Sequence, residues 1–288
     1  MIRHILFGII TILVFLSLAS SCLGEKDNPE EFPELSGTYK MTDPQRYPKE
    51  EGVTRIVSYN VGTFNKYMAN SISEVAEIIS ELKADAVIMN EVDSCTSRNP
   101  FYQVKVLAET LGNWNYAFGP AMHVYGGAYG NAIVTSPGNK VLRDTTVLLG
   151  RHNGAEERSL IVAECERFVI MGSHLDHTQE FARIQQAKII NDFVKKYYKG
   201  DSRPVFLLGD MNCEPNDAPL KELKNTWTVV SKNTPTYPTT SLKKCIDFVM
   251  LYSGAGKATV TMTEATRYLF NGDPGTASDH IPIFVDYK

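Results

Sequence analysis

The sequence VFLLGDMNCEP, residues 205–215, contains the clearest fold signal in the chain. Four apolar residues run directly into a glycine, and a carboxylate (Asp210) and an amide (Asn212) follow at once. This pattern predicts a buried strand whose end presents polar side chains, and strand alternation places Asp210 and Asn212 on one side and Met211 on the other. A carboxylate beside an amide suits a hard cation, or a water held against an anionic oxygen. Gly, Asp and Asn are also turn formers, so a plain turn is the alternative.

Apolar runs and amphipathic segments continue on both sides of this strand. Strands are predicted at residues 54–59, 86–89, 116–118, 132–135, 160–164, 168–172, 205–208, 246–252, 258–262 and 281–287. Helices are predicted around residues 72–82, 101–111, 180–198 and 219–224. Because strand–helix and hairpin connections are mixed, this order favours sheets covered by helices over a purely parallel barrel. We therefore expect an α/β fold.

The composition is that of one globular domain that follows a segment of different character. Residues 52–288 are a common size for an α/β domain, and the chain is 43% hydrophobic and 22% charged. The net charge is −4, and no run of Lys and Arg is longer than a pair. Phosphate neutralisation dominates affinity for nucleic acid, so these charges disfavour extended duplex binding without excluding a nuclease. The four cysteines of this domain lack Cys-x-x-Cys spacing, which disfavours a structural zinc site.

The first 51 residues are predicted to direct export and to tether the domain. Residues 1–21 have a short basic lead, an apolar run too short for a comfortable membrane span, and small residues before Cys22. They resemble a relaxed bacterial lipoprotein signal, which implies lipidation of Cys22, a membrane anchor, and a location in the periplasm or at the cell surface. An ordinary secretory peptide is the alternative. Residues 22–51 are rich in Glu, Asp, Pro, Lys and Gly without periodicity, so we expect a flexible tether.

Polar residues recur where the predicted strands of the domain end. They are Asn60, Glu91, His174, Asp176, Asp210, Asn212, Asp247, Asp279 and His280. One such residue is usually part of a turn, but this feature at six places in one domain is difficult to explain by turns. If neighbouring strands present these side chains at a common edge, they form a pocket of carboxylates, amides and imidazoles. Carboxylates that lie close together repel one another, and a cation between them removes this unfavourable interaction. The cluster therefore predicts a bound cation.

Seven short motifs occur in an order that is typical of one family. They are SYNVG (58–62), MNEVD (89–93), YGNAIVTS (129–136), GSHLDH (172–177), LLGDMNCEP (207–215), CIDFVML (245–251) and SDHIPIFV (278–285). The ordered set resembles the endonuclease/exonuclease/phosphatase superfamily, in particular its sphingomyelinase and DNase I branch. This resemblance implies a DNase I-like, four-layer α/β/β/α sandwich of two packed mixed β-sheets flanked by helices. It also implies a metal-dependent phosphoric ester hydrolase, either a phosphodiesterase or a phosphatase.

The resemblance implies a divalent-cation site at three of the strand-end positions. Glu91 looks like the principal metal ligand, with Asn60 and Asp279 beside the cation. Oxygen donors of this kind suit Mg²⁺ or Mn²⁺, and octahedral Mg²⁺ keeps waters that can be oriented or ionised. The expected cofactor is therefore Mg²⁺ or Mn²⁺.

Five further positions take catalytic roles by the same resemblance. Asp210 looks like the residue that activates or aligns the attacking water, and Asn212 like a donor to the scissile phosphate. His280 looks like the imidazole that contacts phosphate, held in orientation by Asp247. His174 would stabilise the phosphate or protonate the leaving oxygen. The implied chemistry is in-line attack of water on phosphorus.

The substrate is the least determined part of this prediction. By resemblance, Asn131 and Tyr129 look like phosphate neighbours. For Arg158 three alternatives are open: it contacts phosphate, pairs with a site carboxylate or forms a surface ion pair. A lipid head group, sugar phosphate, nucleotide or nucleic acid presents the same phosphate. The membrane tether and the acidic chain favour a lipid-derived or small phosphoester over duplex DNA. No obligate protein partner is implied.

Two differences from the family's motifs disfavour particular branches of the superfamily. The 5-phosphatase branch has a Trp-Cys-Asp-Arg-like segment where this chain has Lys-Cys-Ile-Asp at residues 244–247, which disfavours that substrate class. The exonuclease III-like branch lacks a histidine at the position of His174, so abasic-site repair is disfavoured.

Two alternatives to this function are a zinc hydrolase and a binding protein. GSHLDH approaches the His-x-His-x-Asp-His signature of metallo-β-lactamase-like enzymes, but Gly172 replaces its first histidine. That reading also leaves Gly-Asp-x-Asn and Ser-Asp-His unexplained. A non-catalytic, ligand-binding surface lipoprotein on the same fold is the second alternative, although none of the main matched positions is missing.

Overall fold

The computed structural model describes residues 46–288. The predicted export signal at residues 1–21, Cys22 and the tether as far as residue 45 lie outside the described residues. Among residues 46–288, none of the helices has both the length and the apolarity that crossing a membrane requires. The described part of the chain contains all of the domain predicted at residues 52–288.

Residues 46–288 contain twelve strands and five α-helices. The strands are β1 (Thr54–Asn60), β2 (Ala86–Ser94), β3 (Asn115–Val124), β4 (Gly127–Thr135), β5 (Val141–Leu148), β6 (Ser159–Cys165), β7 (Val169–Ser173), β8 (Val205–Asp210), β9 (Trp227–Val229), β10 (Asp247–Tyr252), β11 (Val260–Ala265) and β12 (Ile283–Tyr287). The helices are α1 (Ile72–Glu81), α2 (Gln103–Thr110), α3 (Glu180–Tyr198), α4 (Ala218–Lys224) and α5 (Pro274–Ala277). A 3-10 turn, Gly62–Phe64, follows β1.

The strands form two mixed sheets that pack face to face. Their orders are β11-β12-β1-β2-β4-β3 and β5-β6-β7-β8-β10-β9. Each contains one parallel pair, β1–β2 or β7–β8, among antiparallel neighbours. Helices α1 and α2 pack on the outer face of the first sheet, and α3 and α4 on that of the second. The predicted α/β/β/α sandwich is confirmed.

Strand β8 explains why the central strands read as continuous apolar runs. Val205 and Leu207 pack toward α3 and α4, whereas Phe206 and Leu208 lie in the layer between the two sheets. All four side chains are fully buried. Because both faces of the strand are covered, VFLL needs no polar alternation before it reaches the glycine.

The predicted elements agree with the structure where an apolar face is long. Helix α3 covers residues 180–198 as predicted, and the strands predicted at residues 160–164 and 168–172 form the antiparallel pair β6–β7. Strands β3 and β4 are longer than the predicted 116–118 and 132–135. The sequence does not predict β5, because this edge strand exposes most of its side chains and carries little apolar signal.

Gly209, the residue before Asp210, lies where β8 passes closest to β7. Its φ is +135°, and a Cβ placed on it would lie 1.9 Å from the carbonyl oxygen of Ser173. A backbone atom held between two hydrogen-bonded strands cannot move aside for a methyl group. We therefore expect Gly209→Ala to lower the free energy of unfolding by at least about 3 kcal/mol, measured by urea denaturation.

Gly138→Ala is the matched control for this substitution. No atom lies within 4 Å of a Cβ at Gly138, and its φ is outside the left-handed region. Its free energy of unfolding should change by less than about 1 kcal/mol. Equal stability of the two variants would contradict the close approach of β7 and β8.

Candidate active site

A cleft of about 630 Å³ opens at the edge where β1, β2, β7 and β8 end. The predicted residues that line it are Glu91, Tyr129, Arg158, His174, Asp210, Asn212, Asp279 and His280. Asn60, Asn131 and Asp247 are buried beneath or beside it. The structure therefore brings strand-end residues of both sheets into one site.

Asp210 lies at the centre of this site, between two imidazoles. Its Oδ2 is 3.6 Å from Nε2 of His174 and 3.6 Å from Nε2 of His280, and Asn60 Nδ2 donates to it at 3.2 Å. Burial and the nearby Asp247 carboxylate raise the pKa of Asp210 to about 7. A carboxylate with a raised pKa accepts a proton from water more readily than an ordinary one.

A turn after β8 places Asp210 and Asn212 on the same side of the chain. Strand β8 ends at Asp210, and Asn212 has a left-handed φ of +47°. The Asn212 backbone N–H donates to Asp210 Oδ1 at 2.8 Å, and its Nδ2 donates to Leu175 O at 3.0 Å. This is the local turn that Asp and Asn favour. Residues 210–212 therefore form a turn and not an extended strand, but the placement expected from alternation is found, because Met211 is buried in the core and both polar side chains reach the cleft.

His280 is held as a cation by the buried carboxylate of Asp247. Its Nδ1 lies 2.8 Å from Asp247 Oδ2, which also accepts from Thr236 Oγ1 at 2.5 Å. Burial lowers the pKa of the imidazole, but the charge and hydrogen bond of Asp247, with the charge of Asp210, outweigh it and raise the pKa to about 10. The ring of Tyr237 packs against the imidazole at 4.7 Å between centroids. Near neutral pH, His280 therefore presents a protonated Nε2.

His174 has the opposite protonation, because burial and a neighbouring buried arginine both disfavour its charged form. Arg158 Nη1 lies 3.2 Å from His174 Nδ1, and Arg158 Nη2 lies 3.2 Å from His177 Nδ1. A guanidinium only donates, so Nδ1 of His174 must accept and its proton must be on Nε2, which faces Asp210. Burial and the charges of Arg158 and His280 hold the pKa of His174 well below its ordinary value. His174 is thus a neutral hydrogen-bond donor in the cleft.

Glu91 reaches the cleft because β2 contains a bulge. The pairing of β2 with β4 shifts register between Met89 and Val92, and Glu91 has a left-handed φ of +58°. Bulges redirect side chains, and strain in a non-glycine residue is concentrated at functional sites. Asn60 Nδ2 donates to Glu91 Oε1 at 3.0 Å. Burial, followed by the negative charge of Asp279, raises the pKa of Glu91.

These carboxylates suit a hard divalent cation. Glu91 and Asp279 raise the local negative charge in a poorly solvated place, and both offer carboxylate oxygens. Asn60 turns its amide nitrogen toward them, since Nδ2 donates to Glu91 Oε1 while Oδ1 accepts from the backbone N–H of Gly62 at 3.1 Å. A second candidate group, Asp210, Asp247 and His280, has ligand atoms within 4.8 Å of one another. It fits a cation less well, because a protonated imidazole already lies between its carboxylates.

Asn131, predicted to neighbour the phosphate, supports the floor of the cleft instead. Its Oδ1 accepts from Asn90 Nδ2 at 2.8 Å, and its Nδ2 donates to Ser159 O at 2.9 Å. Asn90 Oδ1 in turn accepts from the backbone N–H of Asp210 at 2.9 Å. Both ends of the Asn131 amide are therefore used beneath the site, and the residue acts on Asp210 through Asn90.

Tyr129 does line the cleft, beside an arginine that no sequence pattern singles out. Burial, then the charge of Glu91, holds the pKa of the Tyr129 phenol well above its ordinary value, so it remains a donor. Arg98 lies 5.6 Å from the centre of this ring, and its Nε and Nη2 donate to the two oxygens of buried Asp93 at 2.7 and 2.9 Å. Arg98 could have been expected only from Asp93, because a buried carboxylate needs a partner that compensates its charge.

Lys66 is a second missed residue of the cleft. Its Nζ lies 2.9 Å from Asp279 Oδ2. It follows Asn60 by six positions, in the loop after a predicted strand end. That placement was the only signal, because the contact with Asp279 joins residues far apart in the sequence.

Asp176 organises the loop before α3 and does not enter the cleft. Its Oδ1 accepts from the backbone N–H groups of Thr178 and Gln179 at 2.8 and 2.7 Å, and its Oδ2 accepts from that of Ala155 at 2.7 Å. Burial opposes this charge, but the hydrogen bonds outweigh it and lower the pKa of Asp176 to about 2. Its role is to fix the segments that carry Arg158 and His174.

Comparisons with known proteins match this fold and its motifs. A model of the Endonuclease/Exonuclease/phosphatase family matches residues 57–280. An endonuclease/exonuclease/phosphatase from Bacteroides vulgatus is 18% identical, with 82% of this chain and 98% of the other covered and a TM-score of 0.66. A mannosyl-6-phosphatase from Bacteroides thetaiotaomicron is 15% identical, with 82% and 99% covered and a TM-score of 0.65.

A protein that was crystallised with DNA has the same architecture. TDP2 of D. rerio, complexed with single strand DNA product, is 17% identical, with 83% of this chain and 100% of the other covered and a TM-score of 0.63. Identities this low indicate a common fold and nothing finer. No curated protein sequence gives a significant match.

Proposed function

The chain belongs to the Endonuclease/Exonuclease/phosphatase family, and from this membership we propose that it is a metal-dependent phosphoester hydrolase in which water attacks phosphorus. The observation that carries the proposal is the position of Asp210, with a cationic His280 on one side and a neutral His174 on the other. Asp210 can act as a base, His280 as a cationic donor and His174 as a neutral donor. This combination suits a phosphorus atom that gains one oxygen and loses another.

Asp210 is the proposed general base. Its Oδ2 is within hydrogen-bonding distance of Asn60 Nδ2, and its Oδ1 is held by the backbone N–H of Asn212. These two contacts fix the carboxylate while it accepts the proton of the attacking water. The pKa near 7 makes that transfer more favourable than it would be for an exposed aspartate.

Three side chains are proposed to stabilise the phosphate. Nε2–H of protonated His280 donates to a non-bridging oxygen as negative charge develops. Asn212 uses one N–H of its amide on Leu175 O and has a second for the phosphate. His174 donates from Nε2 to the phosphate or the leaving oxygen, and its low pKa favours hydrogen bonding over proton transfer.

Glu91 and Asp279 are proposed to hold Mg²⁺ or Mn²⁺, with Asn60 beside them to orient Glu91 through the hydrogen bond that its Nδ2 donates. When bound, the cation offsets the negative charge of the phosphoryl oxygens. The protein's own part is to keep two carboxylates close together and poorly solvated, which favours a hard divalent cation over water alone.

Hydrolysis of bis-p-nitrophenyl phosphate and p-nitrophenyl phosphate tests this function. We expect turnover of at least one ester with Mg²⁺ or Mn²⁺ and none with a chelator. Absence of turnover would favour the ligand-binding lipoprotein, and turnover with Zn²⁺ alone would favour the zinc hydrolase. A panel of sphingomyelin, phosphoinositides, sugar phosphates, and single- and double-stranded DNA then identifies the leaving group. The membrane tether and acidic chain favour a lipid-derived or small phosphoester, and the phosphatase and DNA-bound relatives justify the sugar phosphates and DNA.

Export and lipid anchoring at Cys22 complete the proposal. Residues 1–21 support it by their basic lead, apolar run and small residues before the cysteine. Cys22→Ser should move the protein from the membrane to the soluble fraction of a bacterial host, because its thiol can no longer be acylated. Equal membrane association of the wild type and Cys22→Ser would contradict lipid anchoring at Cys22. It would leave the proposed hydrolase activity unaffected.

A further inference from the structure

Lys66 lies at the carboxylates that are proposed to hold the divalent cation. Its Nζ is 2.9 Å from Asp279 Oδ2, and it lines the cleft together with Glu91. The Lys66 side chain is 45% exposed, whereas that of Asp279 is only 8% exposed. The ammonium is therefore a movable partner of a fixed, buried carboxylate.

The loop after β1 is built to bring this lysine to Asp279. Thr63 and Phe64 have left-handed φ values of 56° and 53°, and Gln103 Nε2 holds Thr63 O at 2.7 Å. Gly62 has a φ of +52°, and a Cβ on it would lie 2.9 Å from Cβ of Lys66. Strain over consecutive residues persists only where the surroundings impose it. The path of the Lys66 stem against Gly62 is thus set by the fold.

A divalent cation held by Glu91 and Asp279 would lie close to the positive charge of Lys66. Glu91 and Asp279 carry two negative charges in a poorly solvated place, and Lys66 offsets one of them. A cation that takes the same Asp279 oxygen replaces this ion pair and repels the ammonium at short range. The lysine can move away because nearly half of its side chain is in solvent, whereas Asp279 cannot follow it.

We propose that Lys66 competes with the divalent cation for Asp279, and that binding of the cation releases the Lys66 ammonium into the cleft, where it contacts the substrate phosphate. This inference rests on the proposed cation site. It assigns Lys66 two effects of opposite sign, since the ammonium weakens cation binding and strengthens binding of an anionic substrate.

Titration of the full-length protein with Mn²⁺, followed by calorimetry and by electron paramagnetic resonance of unbound Mn²⁺, tests the competition. Lys66→Met should bind Mn²⁺ on the order of tenfold more tightly, because the cation no longer displaces an ion pair. The same variant should raise KM for the phosphoester hydrolysed by the wild type. Lys244→Met is the matched control: Lys244 also lines the cleft, but it lies over the ring of Tyr237, 6.0 Å from the centroid. Its affinity for Mn²⁺ should equal that of the wild type.

The outcomes separate this inference from the proposed function. If the wild type binds no Mn²⁺ and hydrolyses no ester, the proposed function fails first. If the wild type binds Mn²⁺ and Lys66→Met binds it equally or more weakly, the proposed competition between Lys66 and the cation is wrong. The proposed hydrolase function is not affected by that result. Lys66→Gln provides a second uncharged variant, and thermal unfolding verifies that each protein is folded. Tighter Mn²⁺ binding together with a raised KM is the result that supports the proposal.

Discussion

Asp210→Asn is expected to lower kcat by about 10³-fold at saturating cation, with the fold and the affinity for Mn²⁺ unchanged. An amide has nearly the shape of the carboxylate and retains an oxygen for the backbone N–H of Asn212. It cannot accept the proton of the attacking water, so the chemical step loses its base. Steady-state kinetics on the best substrate of the panel, with circular dichroism and a Mn²⁺ titration, provide the measurement.

Asp217→Asn is a suitable control for this substitution. Asp217 lines the same cleft, but its Oδ2 accepts from the backbone N–H of Glu214, 2.8 Å away, at the start of α4. The amide oxygen of asparagine can accept this hydrogen bond, so kcat should remain within about threefold of the wild type. A rate for Asp210→Asn that is as high as that of Asp217→Asn would remove Asp210 from the mechanism.

Asp247→Asn should lower kcat/KM by about 10²-fold around pH 8, and the loss should be smaller at lower pH. In the wild type, Asp247 keeps the pKa of His280 near 10, so the imidazole is protonated at this pH. Without that carboxylate, burial lowers the pKa of His280 and the phosphate loses a cationic donor. The charge of Asp247 also raises the pKa of Asp210, so its removal lets Asp210 ionise at lower pH. Both limbs of the profile of kcat/KM against pH should therefore move to lower pH.

Thr236→Val distinguishes the effect of the Asp247 charge on His280 from the effect of a hydrogen bond to Asp247. The Thr236 hydroxyl donates to Asp247 Oδ2, and valine removes this bond while the carboxylate stays. We expect a loss in kcat/KM of less than about tenfold and an almost unchanged pH profile. A profile for Asp247→Asn that stays in place would contradict the assignment of His280 as the cationic donor.

The fold and most of the site were predictable because their signals are local. The run VFLL before Gly209 marked β8, and the long amphipathic segment marked α3 at its observed ends. Polar residues at the strand ends follow from the same patterns, since a buried strand that stops at a polar side chain leaves that side chain at the sheet edge. Family resemblance then supplied roles that periodicity alone does not give.

The remaining features depend on backbone geometry and on distant contacts. The bulge that directs Glu91 is a left-handed residue inside a strand, and nothing in MNEVD specifies it. Residues 210–212 have the expected sidedness, but they form a turn, in which the backbone N–H of Asn212 donates to the Asp210 carboxylate, instead of an extended strand. Arg158 was open to several interpretations, since its imidazole partner lies sixteen residues away on another strand end.

Hydrolysis in water enriched in ¹⁸O tests the central claim most directly. With bis-p-nitrophenyl phosphate, or the monoester if that is the better substrate, and Mg²⁺ or Mn²⁺, we expect one ¹⁸O atom in the phosphate-containing product and none in p-nitrophenol. The reaction should stop when a chelator is added and should be nearly absent in Asp210→Asn. Turnover that persists with the chelator, or ¹⁸O in p-nitrophenol, would contradict metal-dependent attack of water on phosphorus.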